Sequence, residues 1–125
     1  MTGYLLDTHV MLWWLAGADM SAEAEQVIDD ASHEVFLSSA SAWEMSIKQS
    51  KGRLTVPADL TRLIADAGIQ VLTVRWAHAW AAGQLPGHHQ DPFDRLLIAQ
   101  AQSEGLTLVT ADARLHSYAV PIIAA

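Results

Sequence analysis

Short apolar runs alternate with helical stretches along this chain, and that alternation limits the folds open to it. Residues 4–6, 35–37 and 106–109 read as short buried strands, each followed by a helical stretch or turn. Residues 69–74 are rich in β-branched side chains and predict another strand, and residues 120–123 predict a last one. Strand–helix alternation is typical of α/β domains with a mainly parallel sheet. The pattern therefore predicts an α/β fold with four to five strands.

Start and stop signals predict six helices. Serine and aspartate favour helix N-caps, proline favours the first helical position, and glycine favours the position after the last turn. On that basis, helices are expected over residues 8–15, 22–31, 41–50, 57–67, 76–83 and 92–104. Asp91 is expected to cap the last of them, with Pro92 as its first residue and Gly105 at its end. Residues 85–90 contain a Pro-Gly pair and predict a loop.

Length and composition bound the class of protein. With 125 residues, of which 51% are hydrophobic and 17% charged, we expect a single domain over residues 1–125. The chain has no cysteine, which excludes disulfides and thiolate–zinc sites. No basic residue precedes the first apolar run, and the longest strictly apolar stretch, residues 10–16, is too short to span a bilayer. We therefore expect a cytoplasmic protein without a membrane anchor.

The net charge of −7 argues against broad nonspecific binding to nucleic acid. A nucleic-acid substrate would have to be held by metal ions and by a local basic patch. Lys48, Lys51 and Arg53 form such a patch, within a segment from 45 to 58 that has no acid. The same residues equally fit a solvated helix end, where cations are favourable.

Four acids lie at or near predicted strand ends and helix starts. Asp7 follows the first strand, Glu44 comes shortly after the second, Asp94 begins an apolar helical stretch, and Asp112 follows the 106–109 strand. The carboxyl ends of parallel strands meet at one edge of a sheet, where ligands bind. Two carboxylates about 4 Å apart repel by roughly 4 kcal/mol at a surface-like dielectric, and a divalent cation removes that cost. Because oxygen ligands suit Mg²⁺ or Mn²⁺, the sequence predicts a metal-dependent site.

Each acid also has a purely structural interpretation. The two acids that follow strands are suited to cap the segments after them. Glu44 lies three residues after Ser41, and this pair fits a capping box. Asp91 and Asp94 both favour a helix N-terminus, but one cap is enough. We therefore assign Asp91 to capping and Asp94 to chemistry.

Other catalytic signatures are missing from the sequence. His88 and His89 are the only clustered histidines, and no third His or Cys lies at the spacing of a zinc site. The chain also lacks a nucleophile elbow, a phosphate-binding glycine loop and a dinucleotide fingerprint. The four acids are therefore the main candidates for chemistry.

Four sequence blocks, taken together, carry a family resemblance. They are LLDTH at residues 5–9, SASAWE at 39–44, HHQDPFDRLLIAQA at 88–101 and TAD at 110–112. In this order and spacing they resemble the PIN-domain nucleases, most of all the VapC toxins of VapBC toxin–antitoxin pairs. The resemblance covers nearly the whole chain, and its third block is the most specific. It implies a PIN-like three-layer α/β/α fold around the parallel sheet.

The resemblance implies a Mg²⁺- or Mn²⁺-dependent endoribonuclease that is the toxin of a type II pair. The family's metal-binding acids carry over onto Asp7, Glu44, Asp94 and Asp112, and its hydroxyl near the last acid corresponds to Thr110. One or two metal ions would activate a water that attacks an RNA phosphodiester and leaves a 5′-phosphate and a 3′-hydroxyl. The basic patch described above would guide the RNA backbone toward the acids.

Two protein partners are implied by the same resemblance, a cognate antitoxin and a second copy in a homodimer. An antitoxin segment would lie in a groove near the acids, where an Arg or Lys would pair with Asp7 and Asp94 in place of the metal. Most of the five tryptophans are expected in the core. Trp13 or Trp14 of the first helix is expected to be exposed as one wall of the groove.

Two other interpretations remain open. A phosphoacceptor receiver-like signalling domain also has a parallel sheet with an acid pocket at this edge. It needs paired acids after the first strand, an Asp after a middle strand and a late Lys, whereas here a single acid, Asp7, follows the first strand and no Lys occurs after Lys51. A catalytically inactive PIN-like binding module is the third possibility, disfavoured because all four acids are present.

Overall fold

A parallel sheet forms the centre of the fold. The computed structural model describes residues 3–125, so Met1 and Thr2, where the absence of a leader was argued, lie outside the described residues. Within that range the strands are β1 (Gly3–Leu6), β2 (Glu34–Ser38), β3 (Gln70–Leu72), β4 (Thr107–Thr110) and β5 (Ile122–Ala124). They form one sheet in the order β3-β2-β1-β4-β5, and each neighbouring pair is parallel.

The connections between the strands are mostly helical. The helices are α1 (Thr8–Leu15), α2 (Ala22–Asp29), α3 (Ser39–Ser50), α4 (Leu60–Asp66), α5 (Trp76–Gln84) and α6 (Pro92–Glu104), and a 3₁₀ turn covers Ala113–Ser117. Start and end signals were accurate for α1 and α6, whereas α4 begins later than predicted because a turn precedes it. Among the described helices, none has both the length and the apolar character needed to cross a bilayer.

Helices cover both faces of the sheet, which gives three layers. Neighbouring residues of a strand point to opposite faces. Leu5 and Leu108 therefore pack with α6, while Leu6 and Val109 pack with residues of α1 to α4. All four side chains are fully buried, and burial of one leucine contributes about 1.5–3 kcal/mol. β1 and β4 are therefore rigid central strands, and they fix the positions of the residues at their carboxyl ends.

The capping box predicted for Ser41 and Glu44 is wrong. β2 runs directly into α3 without a loop, so the last residue of the strand, Ser38, is the N-cap, and its Oγ accepts a hydrogen bond from the Ala40 N–H at 3.0 Å. Ser41 lies inside the helix, where its buried Oγ accepts from the Thr8 hydroxyl at 2.7 Å. Glu44 is thereby free of any capping role.

The expectation that most tryptophans lie in the core is also wrong. Trp76 and Trp80 are 85% and 67% exposed, and Trp43 is 65% exposed. α5 packs against α6, and its buried residues include His78 and Ala82, so the two tryptophans of α5 lie on its opposite, open side. Neither tryptophan of α1 is fully exposed, since both Trp13 and Trp14 are partly buried.

Candidate active site

Asp7 joins the ends of the two central strands. It directly follows β1 and caps α1, where its Oδ1 accepts from the His9 N–H at 3.1 Å. Its Oδ2 accepts from the hydroxyl of Thr110, the last residue of β4, at 2.7 Å. Burial acts to raise the pKa of Asp7, but the hydrogen bonds from His9 and Thr110 outweigh it and lower that pKa. Asp7 is therefore held as a buried carboxylate at the carboxyl edge of the sheet.

Glu44 reaches the same region from a helix rather than from a strand end. It lies in the second turn of α3, six residues after the end of β2, and it is buried. One turn further on, Lys48 donates to its Oε2 at 3.1 Å. One member of the predicted basic patch is therefore paired with a predicted site acid, while Lys51 and Arg53 are exposed beyond the end of α3.

Asp94 follows a loop and not a strand, and it lies in the first turn of α6. The capping role predicted for Asp91 is confirmed, because its Oδ1 accepts from the N–H groups of Phe93 at 2.8 Å and of Asp94 at 3.3 Å. Burial, and then the negative charges of Asp7, Asp91 and Glu44, raise the pKa of Asp94 to about 7. These acids are therefore close enough to Asp94 to act on its charge.

Asp112 caps the 3₁₀ turn and lies at the rim of the acid cluster. Its Oδ1 accepts from the backbone N–H and from Nε of Arg114 at 3.0 and 3.1 Å, and its Oδ2 accepts from the same guanidinium at 2.9 Å. The Arg114 side chain holds the pKa of Asp112 well below its usual range, and hydrogen bonds from the Arg114 backbone and from His89 add to this effect against a smaller opposing effect of burial. Asp112 therefore favours its ionised form, and both of its oxygens are engaged by Arg114.

His89 is a site residue that the sequence reasoning missed. Its buried ring places Nε2 3.0 Å from Oδ2 of Asp94 and 3.1 Å from Oδ2 of Asp112. The three atoms lie within 4.8 Å of one another. The available signal was the adjacent pair His88-His89 just before the capping Asp91. This pair was considered only as part of a zinc site, which needs a third His or Cys. The partners of His89 are carboxylates instead.

The sequence as a whole matches a known family. The PIN domain family model matches residues 4–121. The chain belongs to the PIN-domain family. It is 34% identical, over 129 aligned positions, to Ribonuclease VapC22 of Mycobacterium tuberculosis, and the alignment covers 97% of this chain and 95% of that protein.

Solved structures confirm the PIN-like fold. VapBC2 from Rickettsia felis, bound to a DNA fragment from its promoter, gives a TM-score of 0.73 at 15% identity and covers 98% of both chains. DNA-bound VapBC from Salmonella typhimurium gives 0.71 at 18% identity, with coverage of 99% of this chain and 98% of the other. At such identities the likeness establishes the three-layer fold alone.

The receiver-like alternative is overturned by the family match and by the sheet order. Receiver-type domains have the strand order 2-1-3-4-5, with the third strand inside the sheet. In this PIN domain the order is β3-β2-β1-β4-β5, so β3 lies at an edge. The acid edge is accordingly formed after β1 and β4 and not after β3.

The donor groups of this PIN domain fit a hard divalent cation. Carboxylates are the ligands that Mg²⁺ and Mn²⁺ prefer. Asp94 and Asp112 lie together at His89, and the charges of Asp7 and Glu44 act on Asp94. Burial is the largest cause of the raised pKa of Asp94, and the negative charges of Asp7, Asp91 and Glu44 add to it. A bound cation would relieve the repulsion among these charges.

The loop that carries His89 is clamped from two sides. Arg95 donates to four backbone carbonyls, of Ala82, Leu85, Pro86 and His89, at 2.9–3.1 Å. The Tyr118 hydroxyl accepts from the His89 N–H and donates to the Pro86 carbonyl, both at 2.9 Å. The backbone of His89 is thereby fixed at its N–H and at its carbonyl oxygen. Arg95 belongs to the most specific sequence block, and its role here is to fix the loop in front of the site.

Proposed function

We propose that this PIN domain is a Mg²⁺- or Mn²⁺-dependent endoribonuclease and the toxin of a type II toxin–antitoxin pair. The observation that carries the proposal is the grouping of Asp94 and Asp112 at His89, together with the effect of the Asp7 and Glu44 charges on Asp94. Two comparisons support it: the relative from M. tuberculosis is named a ribonuclease, and the structural neighbours are VapBC complexes.

Three of the acids would hold the metal and the fourth would orient the site. Asp7, Glu44 and Asp94 are the proposed ligands, because the charges of Asp7 and Glu44 both act on the Asp94 carboxyl. Asp112 would act through His89 or through water, since its oxygens are already engaged by Arg114. When bound, Mg²⁺ or Mn²⁺ supplies a Lewis acid that activates water and neutralises charge on the phosphate.

The remaining side chains would orient the Asp7 carboxylate and guide RNA toward the acids. The Thr110 hydroxyl and the His9 N–H fix both oxygens of Asp7, which fixes where that carboxylate points. Lys51 and Arg53 lie beyond the helix that carries Glu44 and would contact the RNA backbone. Cleavage by water would leave a 5′-phosphate and a 3′-hydroxyl.

The direct test is RNA cleavage by the purified protein, freed from any antitoxin. We expect a panel of structured RNAs to be cut with Mg²⁺ or Mn²⁺, and cutting to stop in EDTA and return when excess metal is added. The Asp94→Asn variant, purified in parallel, controls for contaminating nucleases. Cleavage that persists in EDTA at the same rate in both proteins would contradict the mechanism. Absence of cleavage with either metal on every RNA would favour the inactive binding module.

A second copy of this chain is the first protein partner we propose. Trp76 and Trp80 lie one turn apart on the open side of α5, with Ala77 and Ala81 beside them. In a two-fold interface each patch meets its own copy, so four tryptophans would bury about 600–1,000 Å² in all. This is about half of the roughly 1,200–2,000 Å² that a stable dimer buries, so residues around the tryptophans would supply the rest. Ala77 and Ala81, between the tryptophans, are small and allow the two helices to approach closely.

The cognate antitoxin is the second proposed partner, and the acid cluster is its proposed target. An Arg or Lys of the antitoxin would pair with Asp7 and Asp94 where the metal would otherwise bind. Trp13 is the better candidate for a groove wall on α1, because Trp14 packs against the core cluster of α1 and α2.

Light scattering coupled to size exclusion tests both partners. We expect a dimeric mass for the toxin and co-purification of the small protein encoded beside it. Trp76→Ala with Trp80→Ala should give a folded monomer, while Trp13→Ala should weaken antitoxin binding and leave the dimer intact. A dimer that survives the α5 double variant, or an antitoxin complex unaffected by Trp13→Ala, would place that interface elsewhere.

A further inference from the structure

The hydrogen bond at Nδ1 of His89 determines where its ring proton lies. The backbone N–H of Asp91 donates to Nδ1 at 3.0 Å. A ring nitrogen that accepts a hydrogen bond carries no proton of its own. Nδ1 is therefore the acceptor, and the ring proton lies on Nε2.

That proton points at the acids. Nε2 forms a hydrogen bond with Oδ2 of Asp112 at 3.1 Å and lies 3.0 Å from Oδ2 of Asp94. Taken alone, the close grouping of these three atoms would indicate a mixed histidine–carboxylate metal site. To bind a metal through Nε2, however, the ring would need its proton on Nδ1, opposite the N–H of Asp91. Two donors would then face each other, which makes this arrangement unfavourable.

The ring also cannot easily move to another position. Its backbone N–H is held by Tyr118 and its carbonyl by Arg95. Asp91, which donates to Nδ1, is the N-cap of α6 and accepts from two of its N–H groups. The orientation of the His89 ring is thus tied to the start of the same helix that carries Asp94.

We propose that His89 is a positioning residue, whose Nε2 proton is donated to Asp112 while Nε2 lies against Oδ2 of Asp94, so that the ring holds the two acids together from outside the metal. The inference rests on the proposed function, because it concerns the acids that would bind the ion. Asp94 and Asp112 come from different elements and repel each other. A hydrogen-bond donor between them fixes their separation without occupying a position in the metal coordination shell.

Magnetic resonance distinguishes a positioning role from direct ligation. In metal-free protein, ¹⁵N NMR of the histidine rings should show His89 with its proton on Nε2 and with an unprotonated Nδ1. With Mn²⁺ bound, electron spin echo modulation should show no coupling to an imidazole nitrogen. A histidine that binds the metal directly would produce that coupling in the Mn²⁺ experiment. A histidine with only a structural role would show no change in its NMR ring signals when Mg²⁺ is added.

Two substitutions at position 89 test the roles of Nδ1 and Nε2 separately. His89→Gln keeps a donor near the position of Nε2, whereas His89→Asn keeps an acceptor near Nδ1 and lacks the distal donor. We expect His89→Asn to weaken Mn²⁺ binding roughly 10- to 100-fold, and His89→Gln to recover most of that loss. His88→Gln, in the same loop but with an exposed ring that meets Tyr118 edge to face, is the matched control and should bind Mn²⁺ as the unmodified protein does.

The outcomes decide this inference separately from the proposed function. Binding of Mn²⁺ with imidazole nitrogen coupling, or a proton on Nδ1 in metal-free protein, would overturn the positioning role and leave the nuclease proposal standing. Equal loss of affinity in both His89 variants, at unchanged melting temperature, would also overturn it. Failure of the unmodified protein to bind Mn²⁺ at all would overturn the metal site and this inference with it.

Discussion

The Asp94→Asn substitution is expected to reduce metal-dependent RNA cleavage by at least about 100-fold, whereas Asp91→Asn should retain most of it. A factor of 100 corresponds to about 3 kcal/mol, and charge stabilisation by a bound metal is of that order or larger. Asp94 contacts His89 and is affected by the charges of Asp7 and Glu44, and its own charge would be needed to hold the cation. Asparagine at position 91 can still accept from the first N–H groups of α6 and keep the cap.

Initial cleavage rates on one RNA, measured at several Mg²⁺ concentrations, test the pair. Rates at saturating metal separate a loss of affinity from a loss of chemistry, and circular dichroism checks that both variants are folded. An equal loss of activity in the two variants would show that Asp91 belongs to the site and that the division between capping and chemistry is incorrect. Full activity of Asp94→Asn would remove Asp94 from the proposed metal ligands.

Local signals predicted well where the local chain determines the structure. At the start of α6, the Asp-Pro sequence fixes cap and first turn within four residues, and Gly105 ends the helix with a φ of 66°, a conformation that glycine adopts readily. The capping box at Ser41 failed for a tertiary reason. β2 continues to Ser38 because it pairs with β3 there, so α3 begins immediately after it and the earlier serine becomes the cap.

The sequence predicted those candidate site residues whose positions follow directly from the strands that carry them. Asp7 and Thr110 meet because β1 and β4 are neighbours in the sheet. The alternation of strands and helices in the sequence already predicts a parallel sheet, whose strands all end at the same edge. His89 could not be predicted, because its position depends on tertiary contacts. Tyr118, 29 residues further along the chain, and Arg95 of α6 hold its backbone. The exposure of the tryptophans on α5 could not be predicted either, because the composition of a helix does not reveal which of its sides packs against a neighbouring helix.

In EDTA at pH 8, Asp94→Asn is expected to raise the free energy of unfolding by roughly 2–4 kcal/mol. Burial and the charges of Asp7 and Asp91 raise the pKa of Asp94 from 3.8 to about 7 in the folded protein. The folded state therefore binds more protons than the unfolded state in that interval. Stability from the protonated carboxyl is fully present below about pH 4 and is lost as the pH rises toward 7. Asparagine removes this dependence and still offers an oxygen to the Nε2 proton of His89.

Urea unfolding at pH 5 and pH 8, with and without Mg²⁺, measures this effect and links it to the metal site. In EDTA the variant should gain most at pH 8 and less than half as much at pH 5. Asp91→Asn, which removes one neighbouring charge, should gain less than Asp94→Asn at pH 8. Excess Mg²⁺ binds only the folded site, so it should stabilise the unmodified protein more than the variant and reduce or reverse the difference. A variant that is less stable than the unmodified protein in EDTA at pH 8 would show that the Asp94 carboxylate supports the fold. The repulsion among these acids would then not be the cost that a metal relieves.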